Sequence, residues 1–137
     1  MSLTRFLVAT IAGAVVLLVM GFFLYAVLFM GFFAANAGPG AASVTKDPPE
    51  MLFIYLSELV LAALLCLVIG CWAKVSGAGA GFRTGAIFGF LLSLSISMMF
   101  YGTVHYMNLQ ATLFDVVLTT VRISLAGAVI GIVLARK

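Results

Sequence analysis

Residues 109–137 read LQATLFDVVLTTVRISLAGAVIGIVLARK, an apolar run that contains one acid and an internal base. Asp115 and Arg122 are about two helical turns apart, so both project from one face of a helix, with Thr119 between them. An ionised side chain in hydrocarbon costs about 3 kcal/mol or more and usually turns toward a partner or a water-filled cavity. The stretch therefore predicts a helix whose two charges are matched by other parts of the chain.

The composition is typical of an integral membrane protein. Of the 137 residues, 65% are hydrophobic and only 8% are charged, which lies outside the range of soluble globular domains. A helix needs roughly 20 apolar residues to cross a hydrocarbon core of about 30 Å. We therefore predict a single domain over residues 1–137, an all-α bundle of four transmembrane helices at about residues 6–33, 51–73, 82–104 and 112–134.

The first apolar run and the segment after it bear on processing and topology. The run has about 28 apolar residues, against 7–15 in a signal peptide, so we expect an uncleaved helix whose aromatic second half forms an interfacial belt, a packing surface or both. Residues 34–50 should form an irregular outer loop, because they combine glycine, proline and charges. The prolines and acids of residues 47–50 predict the start of the second helix.

The basic residues predict the orientation of the bundle. Lys46 lies alone on one side, whereas five bases lie at the opposite ends of the helices: Arg5, Lys74, Arg83, Arg136 and Lys137. The positive-inside rule then places both termini in the cytoplasm. Because these bases are scattered singly and form no patch, nucleic acid is excluded as a partner.

Several kinds of chemistry find little support in the sequence. The GAGAG run at residues 77–81 follows no strand and lacks the spacing of a nucleotide-binding loop, so we expect no cofactor. Cys66 and Cys71 are on different faces of one helix and should be reduced packing residues. No soluble catalytic domain fits into the length, and an enzyme is therefore the least favoured function.

Small residues form two stripes on the predicted third and fourth helices. They repeat every four residues, a pattern that lets membrane helices approach closely, at Gly81, Gly85 and Gly89 and at Gly127 and Gly131. The pattern leaves open whether the stripes pack within one chain or between chains. We favour association into a homo-oligomer or a larger membrane complex, in which the protein is a structural or accessory subunit.

A polar ridge on the third helix is the candidate partner of the charges on the fourth. Ser93, Ser97, Tyr101 and His105 step by four residues and so share one face. The predicted second and fourth helices run in the same direction, and comparison of depths along them predicts an ion pair between Glu58 and Arg122. We further expect His105 within hydrogen-bond reach of Asp115, titrating with Asp115 and Glu58 as a single unit.

The predicted polar cluster consists of seven residues: Glu58, Ser97, Tyr101, His105, Asp115, Thr119 and Arg122. It either holds the bundle together, as a neutralised ion pair can, or forms the site of a transporter or proton-coupled binder of a small solute. A metal site is less favoured, because one histidine and two carboxylates come from different helices. The serines near the histidine are typical of helix packing, not of a catalytic triad, so we expect no catalytic residues.

Three stretches carry a resemblance to a known family: GFFLYAVLF at residues 21–29, GFRTGAIFGF at residues 81–90 and FDVVLTTVRISLAGAVIG at residues 114–131. In their order they resemble a family of small bacterial four-helix membrane proteins catalogued as a domain of unknown function. The resemblance covers nearly the whole chain. It implies a four-helix fold and a multi-pass protein of the bacterial inner membrane, and it implies no activity.

Overall fold

A computed structural model describes residues 1–136, and these are helical for most of their length without a strand. The helices are α1 (Leu3–Gly21), α2 (Met30–Ala35), α3 (Ala41–Val44), α4 (Met51–Leu67), α5 (Ala78–Thr103) and α6 (Leu109–Ala135). Two π-helical segments, π1 (Phe22–Leu28) and π2 (Val68–Trp72), directly continue α1 and α4. The all-α prediction is confirmed, and four helical spans are long and apolar enough to cross a membrane.

The helix ends follow local capping chemistry. The Ser2 side chain accepts a hydrogen bond from the Arg5 amide, and the Asn108 side chain accepts one from the Ala111 amide, which satisfies amides that have no partner inside the helix. Because Asn108 caps α6, this helix begins three residues before the predicted position. The helix predicted to begin at residue 51 does begin there, directly after Glu50.

The first span is shorter than predicted, because the helix does not continue to residue 33. Phe29 leaves the helical conformation and its amide bonds back to the carbonyl of Leu24, which closes π1. The short helix α2 then carries the rest of the aromatic run. Rings of this aromatic run pack on Phe114 of α6, with centroid distances of 4.9 Å from Phe29 and 4.8 Å from Phe32. The aromatic segment is therefore a packing surface.

The main apolar core lies between α1, α4 and α6. Its buried residues include Leu17 of α1, Leu65 of α4, Ile69 of π2 and Ile130 of α6. The helix α5 packs almost entirely on α6, whereas α4 packs mainly on α1. The helices α4 and α5 meet chiefly through π2, so the bundle is closed at the end that holds the termini, here called the terminal end. It is open at the opposite end, here called the loop end.

The two glycine stripes pack against each other inside one chain. A Cβ atom at Gly81 would lie within 2.2 Å of the Gly127 carbonyl oxygen, and one at Gly85 within 2.7 Å of the Ile123 carbonyl oxygen. Gly131 contacts the backbone of Gly77 in the same way. The stripes are therefore occupied by the α5–α6 contact, which answers the question that the sequence pattern leaves open in favour of packing within one chain.

Two loops pair their backbones at the loop end. The Gly38 amide donates to the Tyr106 carbonyl at 2.7 Å and the Gly40 amide to the His105 carbonyl at 2.8 Å. The Asn108 side-chain amide donates to the Asn36 side-chain oxygen, also at 2.7 Å. This pairing ties the segment before α3 to the segment before α6, and it holds the chain after α5 in an extended conformation.

Candidate functional site

An ion pair joins α6 to α4 in the interior of the bundle. Arg122 Nη1 donates to Glu58 Oε1 at 2.5 Å and to the Leu17 carbonyl of α1 at 3.2 Å. The two side chains expose only 14% and 11% of their surface. The pair predicted from helical depth is confirmed, and it brings three helices together at one point.

Gly21 makes room for the guanidinium of Arg122. A Cβ atom at this position would lie 2.8 Å from Arg122 Nη1, so any larger residue would press on the ion pair. The Nε atom of Arg122 is buried, and it has no hydrogen-bond partner within residues 1–136. Glycine is therefore required here for close approach and not for an unusual backbone conformation.

Asp115 is matched by a hydroxyl group on π1 instead of a base. The Tyr25 hydroxyl, in π1, donates to Asp115 Oδ1 at 2.6 Å and lies 3.1 Å from Thr119 Oγ1. Since a tyrosine has one hydroxyl proton, the Thr119 hydroxyl is the donor in the second contact. The two hydroxyl groups thus form one hydrogen-bond chain in which Thr119 donates to Tyr25 and Tyr25 donates to Asp115. Donors are arranged in this way around a negative charge.

The polar ridge of α5 is only partly present. The buried Ser93 hydroxyl donates to the Gly89 carbonyl at 2.6 Å, which satisfies it within its own helix. Ser97 is half-buried and Tyr101 is exposed, and both face the same cavity as Asp115. Neither side chain makes a hydrogen bond to Asp115 or Arg122.

The predicted contact between His105 and Asp115 is wrong. The helix α5 ends at Thr103, Val104 is extended, and His105 lies in the paired loop segment with an exposed side chain. Its carbonyl accepts the hydrogen bond from Gly40, whereas its imidazole has no hydrogen-bond partner among the described residues. The expected cluster of Glu58, His105 and Asp115 is therefore not formed.

A cleft opens between α4 and α5 at the loop end. Its volume is about 960 Å³, and residues from α4, α5, α6 and both loops line it. Asp115 and Thr112 of α6 form its polar floor. Most of the wall is apolar or aromatic, with Phe53, Ile54, Ile96, Phe100, Tyr101, Val104, Tyr106 and Met107.

Glu58 and Arg122 do not line this cleft. Of the seven predicted site residues, the cleft includes Ser97, Tyr101 and Asp115, and the interior ion pair holds two others. Thr119 connects to Asp115 through Tyr25. The predicted cluster is therefore divided into a buried ion pair and a cleft with a carboxylate.

The two cysteines differ in their surroundings. Cys66 is buried in the core and Cys71 is exposed, and both are free thiols. The predicted packing role is therefore confirmed for Cys66 and is wrong for Cys71. Within residues 1–136, no three side chains of histidine, cysteine, aspartate or glutamate come close enough to hold a metal ion.

The comparison with known proteins gives no relative. The chain matches no protein-family model and no curated protein, and no solved structure matches it. The resemblance to the family of small four-helix membrane proteins therefore stays a prediction.

Tyr25 is the site residue that the sequence did not identify. It is the only polar side chain in the aromatic run of residues 22–33, and a buried tyrosine hydroxyl needs a hydrogen-bond partner. The need of this hydroxyl for a partner is the sequence signal that points to Tyr25 as a site residue. Pairing of opposite charges does not reveal it, because the hydroxyl is neutral and lies outside the polar ridge of α5.

Proposed function

We propose that the protein is a multi-pass membrane protein that binds a small solute in the cleft between α4 and α5 and carries it across the membrane. The observation that carries the proposal is the half-buried carboxylate of Asp115 at the floor of an otherwise largely apolar cavity. An acid at this depth in a membrane helix is costly, which favours a functional reason for it.

The size and the lining of the cleft support a solute of drug-like dimensions. Ligand pockets usually have volumes of about 300–1,000 Å³ and apolar walls with a few polar groups, and the cleft has about 960 Å³. Its walls include exposed side chains on both α4 and α5, such as Phe53 and Phe100. A solute could therefore enter from the side, between the two helices.

The membrane setting is part of the proposal. The four spans cross the bilayer, and the distribution of basic residues favours cytoplasmic termini, with Arg5, Lys74 and Arg83 at the terminal end. In this orientation the cleft lies in the outer half of the bilayer. The resemblance to a bacterial family favours the bacterial inner membrane.

A bulky residue in the cleft tests binding. Purified protein in phosphatidylcholine nanodiscs would be dialysed against a panel of cationic, neutral and anionic organic compounds, and retention would be measured by mass spectrometry. We expect retention of at least one compound by the wild type and by Ser95→Trp, whose position is exposed outside the cleft. Ser97→Trp should abolish it. Equal retention by all three proteins would overturn the proposal.

Transport is tested separately from binding. In phosphatidylcholine liposomes, uptake of a retained compound should depend on a pH difference across the membrane and should be lost in Asp115→Asn. Asp115 is the residue to test, because Glu58 is already neutralised by Arg122. Retention without uptake in the wild type would restrict the function to binding.

Association with a partner is the second candidate function. Residues 51–57, the first two turns of α4, have no buried member, so a helix of a second copy or of another subunit could cover them. Light scattering of the purified protein in detergent tests this candidate. A monomer that copurifies with no other protein would remove its support.

A further inference from the structure

We infer that the solute is an organic cation with aromatic or bulky apolar groups. The inference rests on the proposed function, because it takes the cleft between α4 and α5 as the binding site. It adds the chemical class of the solute, which follows from the charges and rings that line the cleft.

The first step is the balance of charges in the cleft. Its charged lining residues are Lys46, Glu50 and Asp115. Lys46 Nζ and Glu50 Oε1 are 2.6 Å apart, so these two charges neutralise each other at the mouth. Asp115 has no ion-pair partner within residues 1–136, which leaves the cleft with one net negative charge.

The second step concerns the hydrogen bonds of Asp115. The hydroxyl groups of Tyr25 and Thr119 form a chain of donors that ends on Asp115 Oδ1. A carboxylate accepts hydrogen bonds through both oxygens, and no base is among the partners of Asp115 within residues 1–136. Among residues 1–136, Arg122 is the one basic side chain that is not exposed, and it is held by Glu58 and by the Leu17 carbonyl.

The third step concerns the walls. Four aromatic residues line the same cleft as Asp115, namely Phe53, Phe100, Tyr101 and Tyr106. The faces of aromatic rings attract cations, most strongly where water is excluded. Apolar groups on the cation would be buried against the same rings. The combination of one carboxylate and several rings therefore fits a bulky organic cation.

The same lining disfavours other classes of ligand. An inorganic divalent cation takes six or more oxygen ligands or a set of charged side chains, and Asp115 is the one acid of the cleft that is not engaged by a base. An anion would meet the charge of Asp115 without a compensating base, because Lys46 is engaged by Glu50.

Two ions of the same shape and opposite charge test the inference. Binding of tetraphenylphosphonium and of tetraphenylborate to the wild-type protein would be measured by equilibrium dialysis in phosphatidylcholine nanodiscs, with empty nanodiscs subtracted. We expect the cation to bind at least roughly tenfold more tightly than the anion, as one nearby charge in a partly desolvated site can provide. Asp115→Asn should remove most of this preference. Asp47→Asn, at an exposed acid outside the cleft, should preserve it.

The outcomes separate the inference from the proposed function. Loss of the preference for the cation in Asp115→Asn, together with loss of cation binding in Ser97→Trp, supports both the inference and the proposed function. If compounds of the panel bind in the cleft but the wild type does not prefer the cation, the inference is overturned and the proposed function stands. A preference that survives in Asp115→Asn also overturns the inference. If no compound and neither ion binds, both fail. The wild-type comparison remains decisive even if a variant does not fold.

Discussion

The guanidinium of Arg122 has neighbours on three helices, and its replacement should therefore be costly. Removal of one partner from a buried ion pair leaves an uncompensated charge and typically costs about 3–5 kcal/mol. We expect Arg122→Met to lower the free energy of unfolding by about that amount. The double variant Glu58→Leu/Arg122→Met should recover much of the loss, because no charge is then left in the interior. Unfolding by sodium dodecyl sulfate in mixed micelles measures the free energy of unfolding of the single and the double variant.

The exposed ion pair between Lys46 and Glu50 is the matched control. Exposed pairs contribute about 0–1 kcal/mol, so Glu50→Gln should leave the unfolding curve nearly unchanged. A double variant that is no more stable than Arg122→Met would contradict the argument that the cost arises from the remaining charge.

Tyr25 gives a second prediction for a single residue. Its hydroxyl is the direct contact between π1 and Asp115, and hydrogen bonds between membrane helices contribute about 0.6–2 kcal/mol. Tyr25→Phe should therefore lower the free energy of unfolding by about 1 kcal/mol. Tyr55→Phe should have no effect, because Tyr55 is exposed on α4 and its hydroxyl has no partner among the described residues. Equal changes in the free energy of unfolding for Tyr25→Phe and Tyr55→Phe, in the same assay, would show that the Tyr25–Asp115 hydrogen bond contributes nothing.

The sequence predicts the partner of Arg122 but not that of Asp115. Depth along a helix follows from residue count, so Glu58 and Arg122 could be placed at one level. Rotation about the helix axis depends on packing, and it brings Asp115 within hydrogen-bond distance of Tyr25. Because a tyrosine hydroxyl carries no charge, a search for opposite charges could not find it.

Among the helices, α5 depends most on its glycines, since its buried residues are Gly81, Gly85, Gly89 and Ser93. A Cβ atom at Gly127 of α6 would lie 2.4 Å from the Gly81 carbonyl oxygen. Gly127→Ala should therefore separate the helices and lower the free energy of unfolding by about 2–3 kcal/mol, as overpacking does.

Gly102→Ala is the control on α5. A Cβ atom there meets nothing within 4 Å, and alanine favours a helix over glycine by about 1 kcal/mol. This variant should be as stable as the wild type or slightly more stable. The same unfolding assay applies, and loss of stability in both variants would mean that close helix packing is not the cause.

The end of α5 shows where the periodic pattern stops being informative. A step of four residues places His105 on the polar ridge only if the helix continues to residue 105. It ends at Thr103 because the carbonyls of His105 and Tyr106 bond to the amides of Gly40 and Gly38. These partners come from a loop more than sixty residues earlier in the sequence, and no local signal reveals them.

At the scale of the whole molecule, the orientation is the prediction to test. Ser43 and Ser76 are exposed at opposite ends, so Ser43→Cys and Ser76→Cys can each be introduced into a chain that carries Cys66→Ala and Cys71→Ala. In intact cells an impermeant maleimide should label position 43, and it should label position 76 only after permeabilisation. Labelling of position 76 in intact cells would reverse the orientation.

Four apolar runs predicted four helices, because length and hydropathy are local properties. They did not predict which helices are neighbours. The glycines fit a contact within a chain as well as one between chains, and only the close approach of Gly81 to Gly127 decides between them. The cleft arises from this arrangement, since α5 is held by α6 and α4 by α1.

The ion pair between Glu58 and Arg122 also has a consequence for biosynthesis. The base follows the acid by 64 residues, and at about 5–20 residues per second the ribosome needs roughly 3–13 s to reach it. Throughout that interval the nascent α4 carries Glu58 without Arg122. In the proposed membrane setting, α4 therefore either waits in the translocation channel until α6 has been made or enters the lipid without the partner of its carboxyl group.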